Sequence, residues 1–245
     1  VDKPGLNTTP VFIQNSTQAF ADWEVDKINL GKTGRQFFGD DFSSSVTSRT
    51  YTNSLNGRIS GTPINYNFRF AVGSPTGLTL NIAENGNQVF QRILSGYGST
   101  LYRAGVASSW SFSFDGDLPD NRSVLNFSVV PAAITAVGYL DYFTIQYEKE
   151  LKAFNDNLLF FTNSANSGII EYDLNGFTSS NIRVYDITDF ANVKVVSNYS
   201  MLSGGECRFQ LDENPLQKSK YFAVGSDVFK TPSNPVEVQN SNLRG

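Results

Sequence analysis

Histidine is absent from the 245 residues, and the chain holds a single cysteine and a single methionine. Without an imidazole, no Ser-His or Cys-His nucleophilic site, no His-ligated zinc and no haem with a histidine ligand can be built from it. Hydrolytic chemistry would have to run on carboxylates, Lys or Tyr. The lone thiol, Cys207, excludes an intrachain disulfide and leaves the redox compartment open. It stands at an alternating position in Gly-Gly-Glu-Cys-Arg-Phe and reads as a small core hydrophobe. No run of about 18 apolar residues occurs, so no transmembrane segment is expected.

Charge is also scarce. Charged residues make up 17% of the chain, against about 25% in an average soluble domain. The 19 Lys+Arg and 23 Asp+Glu leave a net charge of -4, the wrong sign for a field that neutralises phosphates. Nucleic acid is therefore not an expected partner. The opening Val-Asp-Lys-Pro-Gly has neither an initiator methionine nor a signal peptide, and reads as the start of a mature or excised segment of a longer polypeptide.

The chain is instead rich in aromatic residues, 20 Phe and 11 Tyr, set among Ser, Thr, Asn and Gly. They alternate with polar residues in a period of two, the pattern of half-buried strands. Tyr66, Phe68, Phe70 and Val72 form one such row, and Leu78, Leu80 and Ile82 another. The second row runs into Asn85-Gly86, where a type I′ hairpin turn is expected because both residues tolerate positive φ. A partner strand then follows from about Gln88 to Leu94. Trp110, Phe112 and Phe114 alternate with serines, and Leu125, Phe127 and Val129 repeat the pattern. The segment from Tyr139 to Tyr147 is apolar on both faces and belongs in the middle of a sheet. Its expected faces are Tyr139, Phe143, Ile145 and Tyr147 on one side, with Leu140, Tyr142 and Thr144 on the other.

Glu148 to Lys152 is the densest charge run, read as a strand end plus linker. Short strands then recur at Leu158 to Thr162, Gly168 to Asp173, Asn181 to Asp186, Lys194 to Ser197, Glu206 to Leu211 and Lys220 to Gly225. The expected fold is all-β, with two consecutive β-sandwich domains: a larger jelly-roll-like one over 1–150 with an irregular N-terminal segment and one strand at Val11 to Gln14, then a smaller immunoglobulin-like one over 151–230. Residues 231–245 read as a linker.

Candidate sites are few. Asp115 to Asn121 gathers three Asp and one Asn, but it lacks the glycine and bidentate glutamate of an EF-hand; a hairpin turn is expected there, and no cofactor, with Ca²⁺ as the alternative. Trp23 lies outside a clear strand and is the candidate stacking platform for a sugar. Asn-X-Ser/Thr triplets start at Asn7, Asn15, Asn121, Asn126 and Asn198, and matter only in a eukaryotic secretory context. A glycosidase would need two carboxylates about 5–9.5 Å apart, and nothing singles out such a pair; Asp40 and Asp41 are chain neighbours that point to opposite faces of a strand.

Two stretches carry a family resemblance. One is Ile28 to Phe42, Ile-Asn-Leu-Gly-Lys-Thr-Gly-Arg-Gln-Phe-Phe-Gly-Asp-Asp-Phe, followed by a Ser/Thr strand through Arg49 and Tyr51. The other is Tyr139 to Leu151, then Leu158 to Phe161, Asn175-Gly176-Phe177, and Asn181 to Asp189 with its Val-Tyr-Asp-Ile-Thr-Asp. In this order they resemble the region preceding the peptidase domain of gingipain-type cysteine peptidases, particularly the sortase of the bacterial type IX secretion system. The resemblance implies a secreted or outer-membrane-surface bacterial protein whose full-length form is a cysteine peptidase; the sortase members remove C-terminal secretion signals from cargo and attach it to surface lipopolysaccharide. It also implies that 231–245 leads to the peptidase domain, and that the partners are that domain, secreted cargo or outer-membrane secretion components. No catalytic residue carries over, because the family's His is missing and Cys207 lacks the catalytic context. This chain is then a non-catalytic scaffold or exosite, with Arg35, Phe38, Asp141, Asp186 and Asp189 as its motif residues. Arg35 is expected to hold a loop through Asp40 or Asp41. Asp186 and Asp189 are expected to bond turn backbone around Thr188, and Asp141, if buried, to need a backbone amide or an Arg. The alternative is a carbohydrate-binding or adhesin-like module centred on Trp23.

Overall fold

The computed structural model describes residues 2–32, 34–98, 104–163, 165–214 and 216–231, with 234 and 236. Most of the linker expected at 231–245 lies outside the described residues. In chain order the strands are β1 (Asp2–Pro4), β2 (Phe12–Gln14), β3 (Ser16–Glu24), β4 (Asp41–Phe42), β5 (Ser48–Ser54), β6 (Ile64–Val72), β7 (Leu78–Glu84), β8 (Asn87–Leu94), β9 (Val106–Phe114), β10 (Arg122–Pro131), β11 (Gly138–Glu150), β12 (Asn157–Phe161), β13 (Gly168–Leu174), β14 (Ile182–Asp186), β15 (Lys194–Ser197), β16 (Ser200–Leu202), β17 (Glu206–Glu213) and β18 (Lys220–Gly225). The fold is all-β, as the alternation requires.

Sheets ordered β5-β10-β7-β8 and β3-β11-β6-β9, with β4 beside β11, make the first sandwich. Its core is aromatic. Phe68 alone has the rings of Phe90, Trp110, Phe112 and Phe127 at centroid distances of 5.1, 5.5, 6.2 and 5.7 Å, so this row of β6 knits the two sheets together. The β7–β8 hairpin closes on Asn85 and Gly86 with φ of 46° and 81°, the expected positive pair. The outer faces explain the low charge content. Asn126 donates to Ser48 Oγ and Thr50 Oγ1 (2.8 and 3.0 Å), and Ser113 donates to Asn65 Oδ1 (2.7 Å), so neutral cross-strand bonds coat the sheets in place of ion pairs.

Sheets ordered β1-β15-β14-β18-β12 and β16-β17-β13-β2 make the second sandwich. Around its centre Phe160, Tyr172, Phe209 and Tyr221 are mutually packed.

Three expectations are corrected. First, the N-terminal segment does not belong to the 1–150 unit: β1 pairs in parallel with β15, and β2 with β13, so both complete sheets of the second sandwich. The first sandwich is thus inserted between β2 and β12. Antiparallel β3 and β11 end side by side at the junction, Ser16 opposite Glu150, and Leu151 N donates to Asn15 O across the two exits (2.9 Å). Second, β11 does run centrally, but a bulge between Leu140 and Tyr142 shifts its phase, so Leu140 joins Phe143, Ile145 and Tyr147 in the core and Tyr139 turns to the other face. Third, Asp115 to Asn121 is not a hairpin turn. It carries the chain from β9 in one sheet to β10 in the other, with Leu118 buried beneath it.

The edge strands supply a prediction. A chain starting at Ser16 exposes the ladder edges of β13 and β15 and loses Gln14, whose Nε2 donates to Phe161 O (2.7 Å) and whose Oε1 accepts from Asn163 N (3.0 Å). At about 1 kcal/mol per lost bond, the expected loss is about 3 kcal/mol or more in urea unfolding. Hydrogen exchange should accelerate in β13 and β15 and stay unchanged in β7 and β10.

Candidate functional site

The first motif is a closed loop. Ile28 and Phe38 exchange backbone hydrogen bonds (both 2.8 Å), and Lys27 N also donates to Phe38 O (2.9 Å). Gly34, at φ 69°, makes the turn that brings the ends together. Phe38 is buried, with the guanidinium of Arg69 5.4 Å from its ring centroid and Tyr139 at 6.5 Å. Arg69 pairs with Asp141, the residue that the β11 bulge turns out of phase. The buried Asp141 therefore has the Arg partner its chemistry demands, and the three motif elements form one stack: carboxylate, guanidinium, aromatic ring.

Asp40 and Asp41 are met from elsewhere than expected. Lys27 donates to Asp40 (2.6 Å), Tyr51 OH donates to Asp40 (2.8 Å), and Arg49 donates to Asp41 (2.7 Å). Burial opposes the charge on Asp40, but Lys27, Tyr51 and Arg49 outweigh it and hold the carboxyl below its usual value. Arg35 stands exposed on the loop. Beside the loop, Leu30, Gln36, Phe38, Ala71, Ala104 and Ala107 line a shallow hollow of about 360 Å³.

The second motif ends β14. Asp186 accepts from Thr188 N (3.0 Å), Thr188 Oγ1 (2.5 Å) and Lys3 Nζ (2.7 Å), and Asp189 accepts from Ala191 N (3.0 Å). Both are the turn-binding side chains the sequence led us to expect. Lys3 arrives on β1, which no local pattern announces. It also donates to Tyr221 OH (2.7 Å), which donates to the buried Glu213 (2.5 Å); Tyr172 OH and Ser219 Oγ donate to the same carboxylate (2.8 and 2.7 Å). The result is a continuous polar chain from Asp186 through Lys3 and Tyr221 to Glu213. Burial first, then the Glu213 charge, push the Tyr172 and Tyr221 phenols far above their usual range, so both remain protonated donors. Lys3, Asp186, Thr188, Lys194, Asp212 and Gln217 line a polar cleft of about 330 Å³ at this place. The Phe38–Arg69–Asp141 stack lies in the first sandwich and the Asp186 turn in the second, and the two form no common site.

Glu213 went unnoticed as a site residue, as did Glu84, which in the first sandwich accepts from Tyr66 OH (2.9 Å), Ser123 Oγ (2.7 Å) and Val124 N (2.8 Å). A signal existed for both. Each follows an apolar row in phase, Leu78, Leu80, Ile82, Glu84 and Cys207, Phe209, Leu211, Glu213. Asp156 was also missed. It sits at φ 56° just before β12 and accepts from the backbone and hydroxyls of Thr178 and Ser179.

Trp23 is a member of β3, not a free platform. One face of its ring is stacked on Phe143 (5.9 Å, 6° between planes), Tyr51 packs edge-on at 4.9 Å, and a Cβ on Gly39 would come within 2.6 Å of it. Cys207 is fully buried, and burial pushes its thiol up to about 12, well away from a nucleophile's thiolate. Among the described residues no three Asp, Glu or Cys side chains are grouped to share a metal ion, and no helix is long and apolar enough to cross a membrane.

No protein-family model matches this chain, and no curated protein matches it by sequence. Solved structures do. The crystal structure of dimeric latent PorU from Porphyromonas gingivalis superposes with a TM-score of 0.77 at 15% identity, over 93% of this chain and 22% of the PorU chain. The insecticidal delta-endotoxin Cry8Ea1 from Bacillus thuringiensis (TM-score 0.33, 18% identity, 43% of this chain, 18% of that one) and a CBM36-1 domain of a xylanase from the hindgut metagenome of Trinervitermes trinervoides (0.32, 12%, 52% and 95%) are far more distant. The PorU likeness is one of fold across both sandwiches.

The ion pairs generate two predictions. Asp141→Ala strands Arg69 over Phe38 and should cost about 2–3 kcal/mol in urea unfolding, while Arg69→Met with Asp141→Leu should cost clearly less. For Asp186, burial raises the pKa, but Lys3 and Thr188 more than reverse this and hold it below the usual value. A depressed folded pKa means stability present above the unfolded value of about 3.9 and lost as pH falls through the folded one. Asp186→Asn should therefore be about 1–2 kcal/mol less stable than wild type at neutral pH, with the gap closing as the pH falls below the usual carboxylate range.

Proposed function

We propose that this chain is a non-catalytic scaffold and exosite module from the N-terminal side of a secreted gingipain-type cysteine peptidase, similar to the type IX secretion sortase. In this reading it acts at the bacterial outer surface, without a cofactor of its own, and helps position secreted cargo for a peptidase domain of the same polypeptide. The observation that carries it is the superposition on PorU over 93% of the chain, which accounts for 22% of the PorU chain. The chemistry of the chain supports the same reading. There is no histidine to act as base, and Cys207 is buried with its thiol pushed up to about 12. Two of the motif carboxylates are neutralised by cations from outside the motifs, Asp141 by Arg69 and Asp186 by Lys3. They hold surface loops beside hollows of about 360 and 330 Å³.

The test is direct. Incubated with a reducing agent and peptide substrates, the chain should show no hydrolysis sensitive to a thiol alkylator. Cys207→Ser should keep cooperative unfolding while losing about 1–3 kcal/mol, from a hydroxyl placed in an apolar core. Hydrolysis abolished by that substitution would overturn the proposal.

A further inference from the structure

The loop 55–62 is fastened along the end of β11. Ile59 N donates to Glu148 O (3.0 Å), and Glu150 N donates to Gly57 O (2.9 Å). This carries Arg58 to the junction of the two sandwiches. Arg58 is 5% exposed; its Nη2 donates to Thr62 O (2.9 Å), while Nε and Nη1 are buried with no hydrogen-bond partner. The buried carboxylate on its core side, Glu84, is already occupied by Tyr66, Ser123, Asn85 and the amide of Val124. A buried guanidinium normally has every N–H satisfied, so this one is short of an acceptor.

What lies around it has the matching character. Arg58, Lys149 and Lys152, with the amides of Asn56, Asn121 and Asn157, line a cleft of about 590 Å³. Against three cations it contains one carboxylate, Glu150, in a chain whose net charge is -4. Burial pushes the Lys149 ammonium below its usual range, and no neighbouring carboxylate offsets it. An anion in the cleft would offset the charge of both cations.

We propose that this cleft binds a small oxyanion: inorganic phosphate, or the carboxylate that ends a peptide chain. Lys149 and Lys152 meet it at the opening, and Arg58 supplies the fixed charge of the wall. Arg58 and Lys149 belong to the first sandwich and Lys152 to Asn157 lead into the second, so the ligand bridges the two. The site stands independently of the scaffold role proposed above.

The 245-residue chain is titrated calorimetrically with inorganic phosphate, with a short neutral peptide bearing a free terminal carboxylate, and with its amidated twin. Saturable 1:1 binding of phosphate or of the free-carboxylate peptide, absent for the twin, is expected; which of the two binds identifies the source. Lys149→Gln with Lys152→Gln should weaken it about 10-fold or more, as loss of charge-assisted bonds predicts. Arg58→Lys should bind more tightly than Arg58→Gln. If the Arg58 variants fail to fold, the lysine pair alone decides. Binding of neither probe, or binding unchanged in the Lys149/Lys152 variant, overturns the proposal.

Discussion

Unpaired sheet edges set the topology of this chain. In the second sandwich, one sheet ends at β15 and the other at β13 unless something covers them, and exposed ladders of N–H and C=O groups invite association. The cover comes from residues 2–14, through two short parallel pairings. Parallel partners cannot be joined by a tight turn, and the chain uses the interval to build the first sandwich. The insertion is inexpensive because its two ends leave side by side on paired strands, so the loop is closed by its own β-ladder. The junction that results is a double strand, latched where Thr17 Oγ1 accepts from Phe161 N (2.9 Å) and Phe20 meets Phe161 edge-on.

Inside each sandwich a glutamate plays a matching part. Glu84 and Glu213 close an apolar row on β7 and β17 and gather tyrosine and serine hydroxyls around a buried charge. A one-residue slip of either strand would turn its glutamate to the outer face and leave the tyrosine and serine hydroxyls buried without their acceptor, so these residues penalise wrong register. The outer faces rely largely on Ser, Thr and Asn, while these two carboxylates sit in the cores, where geometry is decided.

Strands with large side chains in strict alternation were legible, as on β6, β7, β13 to β15, β17 and β18. β3 was not, because its inner face begins with Thr17, Ala19 and Ala21, which carry little hydrophobic contrast against Gln18 and Asp22. The faces of β11 were misassigned because a bulge breaks a period of two without leaving any glycine or proline to mark it. The assignment of 1–15 to the wrong sandwich has another origin: pairing partners 158 and 193 residues away, Phe12 with Ile170 and Asp2 with Val195, leave no trace in a local pattern. Sites followed the same division. That Asp141 needs a cation is chemistry; that the cation is Arg69, on the neighbouring strand β6 but 72 residues earlier, is topology. Arg58 gave no signal, since its burial comes from how loop 55–62 lies along β11, not from its neighbours in sequence.

The order of the strands along the chain also fixes an order in time. The first sandwich has all of its partners within residues 16–150 and can finish as soon as β11 has emerged from synthesis or export. Strands β1 and β2 appear earliest and wait longest, for β13 and β15. Even then the sheet that β1 joins is split, because β18, which lies between β14 and β12, is the last of its strands to arrive. Until β13 and β15 arrive, β1 and β2 are a pair of unclaimed edges, available to a chaperone or to a neighbouring copy. The second sandwich is therefore the slower of the two to close.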